Sequence, residues 1–150
     1  MGTIDAALIK KIREETGAGV MRVKTVLDEV KGDEAKALEI LKKEGLEKVA
    51  KREDRATGQG KVFAYSHHSN KIVSVAELFS ETDFVAKNEL FDQLGKDIAL
   101  QVASMGEEAV EEQDFIKDGS KKIKDLIKEV IAKTGENIKL GRVVRIELGK

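Results

Sequence analysis

Few side chains in this chain of 150 residues could do covalent or acid–base chemistry. The two histidines, His67 and His68, are adjacent. Neighbouring residues on a strand or turn point apart. A metal site needs three or four converging ligands, and no carboxylate or cysteine partner stands at ligand spacing. Both histidines therefore read as turn residues, and no metal is expected. There is no cysteine, hence no disulfide framework and no thiolate nucleophile or ligand. The G-x-x-x-x-G-K-[ST], G-x-S-x-G and H-E-x-x-H patterns are missing, as is a convincing carboxylate pair. Neither catalysis nor a cofactor is expected. The remaining chemistry is contact, and its best candidate is Phe84, a large apolar side chain in the polar stretch Ser80-Glu81-Thr82-Asp83-Phe84-Val85-Ala86-Lys87-Asn88.

That stretch sits where the hydrophobic period changes. Ile72 to Phe79 is rich in β-branched and apolar residues and reads as a strand. Phe91, Leu94, Ile98 and Val102 then recur at helical spacing. Asn88 is the better cap for that helix, which leaves Thr82 to Lys87 as a short turn of its own, with Thr82 and Asp83 as further candidate caps. Phe84 either folds back into the core, as most phenylalanines do, or projects as an anchor into a partner. Position alone favours the first reading.

Charged residues make up 37% of the chain, yet they cancel to a net charge of −1. A dedicated nucleic-acid binder normally carries a clear basic excess, so no direct nucleic-acid contact is expected. A single tyrosine and scattered phenylalanines make a poor base-stacking platform. No apolar run approaches the ~20 residues of a membrane span, and the first residues lack the charged and apolar regions of a secretory signal. A soluble chain of the reducing cytoplasm is the expectation.

Three helices of about three turns should open the chain. Residues 4 to 16 carry the stripe Ile4, Leu8, Ile9, Ile12, with Thr3 as cap and Gly17 as stop. A second helix runs from about Val20 to Lys31. A third starts after Asp33, with Ala37, Leu38 and Leu41 inward, and closes at Gly45. A charged helical extension and a joint at Gly58-Gln59-Gly60 follow, so the domains are 1–53, a three-helix unit, and 54–150. Val62 to Ser66 is a strand, and His67 to Asn70 a hairpin turn back into the Ile72 strand. Gly95, inside the Asn88–Ser104 helix, points to close packing against another backbone, because glycine costs a helix about 1 kcal/mol relative to alanine. Gly106 to Gly119 reads as acidic and irregular, and Ser120 as the cap of a last helix. In the final strand Ile138, Leu140, Val144, Ile146 and Leu148 share one parity and so one face, broken only by Arg142. Lys139, Arg145 and Glu147 take the other face. The second domain is thus an α+β layer, a three-stranded, mostly antiparallel sheet packed on helices.

Three motifs in this order resemble the elongation factor Ts family over almost the whole chain. Thr16-Gly17-Ala18-Gly19-Val20-Met21 resembles its TGAGMM turn, Ser80 to Asn88 its CETDFVARN motif, and Gly135-Glu136-Asn137-Ile138, with Arg142 and Arg145, its C-terminal GENI strand. The resemblance implies a ubiquitin-associated-like N-terminal bundle before the α+β core. It also implies guanine-nucleotide exchange on elongation factor Tu in translation elongation. By motif position, Thr82, Asp83, Phe84 and Val85 would meet the GTPase domain of Tu. Phe84 would wedge between helices near the nucleotide and disturb the Mg²⁺ and phosphate contacts. Val20 and Met21 would dock on another helix of that domain, with Arg13 and Lys24 beside them, and Arg52 matches a lysine of the family's linker. The resemblance tips Phe84 toward the anchor role.

Departures accompany it. Ser80 stands for the usual cysteine, Val20 for the first methionine, Arg22-Val23 for Asp-Cys and Gln59 for glutamate. Long members of the family carry a second core subdomain. The shortness of this core and its apolar last strand lead to the expectation of a homodimer, by sheet edges or helix faces. Two rival readings stand beside it: a Tu-binding or ribosome-associated adaptor without exchange activity, and an RNA binder using Lys48, Lys51, Arg52 and Arg55.

Overall fold

Capping side chains and left-handed glycines set the boundaries of the first helices. The computed structural model describes residues 4–150. Helix α1 spans Ala6–Thr16 and is capped by Asp5, whose carboxylate accepts from the Leu8 amide at 2.7 Å. Asp5 thus replaces Thr3 as the cap; Thr3 lies outside the described residues. Gly17, at φ 72°, closes α1 with its N–H on the Arg13 carbonyl. Helix α2 runs Val20–Glu29, and α3 runs Glu34–Arg52 from the Asp33 cap. Ile9, Ile12, Val23, Val26, Leu27, Ala37 and Leu41 bury together between the three helices. Gly45 does not end α3. The helical stripe continues from Leu41 through position 45 to buried Val49, and the ~1 kcal/mol cost of one glycine is not enough to break it. Arg22, a departure from the family pattern, is paired within the bundle to Glu44.

By its own contacts the chain divides into two units: residues up to Asp54 with Ile131–Gly135, and Arg55–Val130 with Glu136–Lys150. The second is built on a three-stranded antiparallel sheet in the order β1 (Gln59–Ser66), β2 (Ile72–Ser80), β5 (Ile138–Glu147). The α+β expectation, with its antiparallel sheet of three strands, holds. The joint expected at Gly58-Gln59-Gly60 is largely strand. Gln59 and Gly60 pair with Ser80 and Phe79, and a side chain at Gly60 would overlap the Leu78 carbonyl. Glycine there serves close strand approach rather than flexibility.

A four-residue helix, α4 (Asp83–Ala86), follows β2, and then α5 (Glu89–Met105), which lies across the inner face of the sheet. Phe63, Ala76 and Leu78 of the sheet bury with Phe91, Leu94, Ile98 and Val102 of α5. Ser74, also buried, donates to the Ala99 carbonyl at 2.5 Å. Gly95 does mark close packing, but against the ring of Phe63 rather than a backbone. The stretch 106–119 is more ordered than its composition implied. After a 3-10 turn at Val110–Glu112, β3 (Asp114–Phe115) pairs with β4 (Asp118–Lys122). The buried amide of Gln101 ties this hairpin to α5 through the Asp114 carbonyl and the Ile116 N–H. Ser120 lies in β4 and donates to Asp118, so it does not cap α6 (Ile123–Thr134). Asp125 accepts from the Lys122 amide instead.

The final strand departs most from its pattern. The β2–β5 register shifts by one residue between Ala76, which faces Val143, and Leu78, which faces Leu140. This bulge falls at Gly141-Arg142, where Phe79 approaches too closely for a side chain at position 141. A shift of one residue moves every later side chain to the opposite face. Ile138 and Leu140 therefore turn inward, opposite Ser80 and Leu78, whereas Val144 and Ile146 turn outward, opposite Val75 and Val73. Ile146 and Leu148 are 66% and 72% exposed, and Val62 and Val73 are exposed too. Arg145 goes inward, where its Nε donates to the Ala103 carbonyl of α5. Glu77 holds the bulge: it accepts from the Arg142 backbone N–H at 3.0 Å and from the guanidinium at 2.7 and 3.0 Å.

Two outcomes follow from these contacts. The side-chain hydrogen bond from Arg142, with its backbone N–H, lowers the Glu77 carboxyl from an ordinary 4.5 to about 2. The folded state thus favours ionised Glu77, and this contribution is complete above the unfolded pKa and lost as pH falls from 4.5 to about 2. Thermal melts should place Glu77→Gln below the parent at neutral pH and bring the two together near pH 2. Gly95→Ala should cost about 1–3 kcal/mol through overpacking against Phe63, read as a lower denaturant midpoint at unchanged slope.

Candidate partner-binding site

A series of hydrogen bonds holds the end of β2 and the segment after it. Buried Ser80 donates its hydroxyl to the Thr82 carbonyl at 2.8 Å. Thr82 has extended backbone angles, φ −125° and ψ 158°, and caps α4 by accepting from the Val85 amide at 3.4 Å. The Thr82 carbonyl also accepts from the Ala86 amide at 3.3 Å. Asn88 then caps α5, its side-chain oxygen accepting from the Leu90 amide at 2.8 Å.

One helical turn so anchored must divide its side chains between core and water. Val85 and Ala86 are buried, and Phe84, between Asp83 and Val85, is 89% exposed. Phe63, Phe91 and Phe115 are buried and Phe79 partly so, which makes Phe84 the exception among the phenylalanines. The reading in which it folds into the core is therefore wrong for its free surface. Asp83 and Lys87, one turn apart, pair at 2.8 Å across the turn, and this contact raises the Lys87 ammonium above its ordinary value.

The expected residues of the first unit also reach the surface. Val20 and Met21 open α2 directly after its Gly19 cap and are 38% and 72% exposed. Lys24, four residues beyond Val20 and three beyond Met21, shares their helical face and is exposed. Arg13 is exposed in the last turn of α1. Arg52 differs. It ends α3 partly buried, and its Nη1 is buried without a hydrogen-bond partner.

Glu136, Asn137 and Glu81 were not singled out by sequence as acting on the turn. The Glu136 carboxylate accepts from the Thr82 amide at 2.9 Å and from the Thr82 hydroxyl at 2.6 Å. In return Glu81 accepts from the Asn137 amide at 3.2 Å, while the Asn137 side chain donates to the Arg55 carbonyl at 2.9 Å. Arg55 stands 3.7 Å from the same Glu81 oxygen. Thr82 and Glu136, and Glu81 and Asn137, lie more than fifty positions apart, beyond the reach of any periodic signal. The one available hint was the Gly135-Glu136-Asn137-Ile138 motif itself. His67 and His68 lie in the β1–β2 turn with their rings 4.0 Å apart. Among the described residues no group of three His, Cys, Asp or Glu side chains could hold a metal ion, and no helix is long and apolar enough to cross a membrane.

Comparison with known proteins bears on the whole chain. The family model for elongation factor TS matches residues 81–150, starting within the anchored turn. Elongation factor Ts of Oleidesulfovibrio alaskensis is 37% identical over 197 aligned residues, covering 99% of this chain and 100% of that protein. Because that alignment is longer than this chain, the relative carries segments with no counterpart here. Elongation factor Ts of Thermosipho melanesiensis is 36% identical over 98% of this chain and 100% of its own length. That of Thermotoga neapolitana is 39% identical over 95% and 96%. With relatives above 35% identity along nearly its full length, the chain belongs to the elongation factor Ts family.

Proposed function

We propose that this protein is a guanine-nucleotide exchange factor for elongation factor Tu, working in the cytoplasm as a binding protein rather than a catalyst of bond chemistry. The observation that carries the reading is Phe84, 89% exposed on a turn whose neighbours Val85 and Ala86 are buried. A phenylalanine held in water on a fixed support is an aromatic anchor without its pocket. Thr82, Asp83 and Val85 form its base, and Phe84 inserts between helices of the GTPase domain near the nucleotide, displacing the Mg²⁺ and phosphate contacts. Val20 and Met21, with Arg13 and Lys24, supply a second apolar contact bordered by positive charge. Arg52, partly buried, has the weakest support of the proposed contacts.

Exchange follows from linkage. A factor that binds nucleotide-free Tu more tightly than nucleotide-bound Tu must weaken nucleotide binding by the same factor. Burying one phenylalanine contributes roughly 1.5–3 kcal/mol, or about one to two decades of affinity at ~1.4 kcal/mol per decade. Release of a fluorescent GDP from the cognate elongation factor Tu should be fast with this protein and at least about tenfold slower with Phe84→Ala. Fast release unaffected by the substitution would move the mechanism away from Phe84. Binding without any release would leave an adaptor.

The occupant of the outer sheet face is a second copy of this chain. Val62, Val73, Val144, Ile146 and Leu148 expose an apolar surface there. Its central charges, Glu77 and Arg142, cancel as a bidentate pair. Two copies related by a two-fold axis would thus meet with that central pair already neutralised, each burying the other's apolar face. Light scattering at micromolar concentration should give twice 16.5 kDa. Ile146→Lys, at an exposed position, should return the mass to that of a monomer; a monomeric parent would remove the proposal.

A further inference from the structure

A helix of four residues has no stability of its own, because nucleation costs more than one turn returns. Helix α4 must therefore be held from outside. The alignment of β2 with β5 supplies the hold. Their last paired positions are Ser80 and Ile138. Two residues beyond, on the same antiparallel register, Thr82 faces Glu136. There Glu136 accepts from both the amide and the hydroxyl of Thr82, at 2.9 and 2.6 Å. The same hydroxyl receives the Val85 amide, and the Thr82 carbonyl takes the Ser80 hydroxyl and the Ala86 amide. A continuous hydrogen-bonded path thus runs from Glu136 through Thr82 to the first turn of α4, which carries Phe84.

From this juxtaposition we infer that Glu136 is a positioning residue for exchange: it orders the α4 turn in the free protein, so that Phe84 meets its partner already oriented. The inference rests on the reading of Phe84 as the anchor. Glu136 need not touch the partner. It acts through Thr82, and its contribution is the ordering that would otherwise be charged against binding. Glu81 completes the hold from the opposite side by accepting from the Asn137 amide, which keeps the start of β5 against the turn.

The test has one arm that needs no partner. In the isolated protein, Glu136→Ala should speed hydrogen exchange at the amides of Thr82, Val85, Ala86 and Lys87, while the amides of α5 keep their protection. Unchanged protection at the turn would overturn the inference whatever the exchange assay gives. In the second arm, Glu136→Ala should slow GDP release from elongation factor Tu by about tenfold, the scale of one charge-assisted hydrogen bond. Glu136→Gln, which keeps an acceptor for the Thr82 amide, should recover most of that loss. In a Phe84→Ala background, Glu136→Ala should add almost nothing, because both act through one side chain. Full additivity would overturn the positioning role. Absence of GDP release by the parent protein, with the turn still loosened by Glu136→Ala, would refute the exchange reading and leave the structural hold intact.

Discussion

The register between β2 and β5 is the constraint on which the second unit depends. It is not uniform. From Ile72 to Ala76 it follows one alignment, and from Leu78 to Ser80 another, one residue apart. Without that step, Thr82 would face Asn137 and the clasp on the α4 turn could not form as it does. With it, Glu136 reaches Thr82, and Glu81 takes the Asn137 amide in exchange. A defect in the middle of a ladder thus sets the geometry at its end, as bulges near functional sites commonly do.

The same step decides what the sheet shows to its surroundings. Inside, Ala76, Leu78 and Ile138 are buried, and the polar Ser74 is satisfied by the Ala99 carbonyl of α5. Outside, an antiparallel sheet facing only water would carry polar residues. This one carries Val62, Val73, Val144 and Ile146, with Glu77 and Arg142 paired among them. Glu77 has two roles there: it satisfies the N–H that the bulge withdraws from the ladder, and it neutralises the one guanidinium on an apolar face.

Two of the exposed apolar side chains stand just after helix N-caps. Phe84 follows a cap held at its amide, hydroxyl and carbonyl, and Met21 follows the Gly19 cap at the start of α2. The backbone ordering cost at Phe84 is met by the fold, since residues on a short capped turn have little backbone freedom left to lose. This arrangement suits a protein whose function is contact, and it places the rigid supports in the motifs that carry the family resemblance.

Much was legible in the sequence because it depends on near neighbours. Helical and strand periods, the Asp33 and Asn88 caps and the Gly17 stop involve residues within one or two turns of each other, and they identified the helices, the three main strands and a separate short turn around Phe84. What the sequence left open depended on distant partners. Gly45 could not be told from a helix stop without the packing of Val49. Gly60 has the local marks of a joint, and the Leu78 carbonyl that demands glycine there lies on another strand. The parity of Ile138 to Leu148 pointed to one face, because alternation has no mark for a bulge whose cause, Glu77 and Phe79, lies on another strand. The side of the turn on which Phe84 emerges, and the reach of Glu136 to Thr82 across fifty-four positions, were decided only by the tertiary structure. They are products of strand register, and register is a property of two segments together.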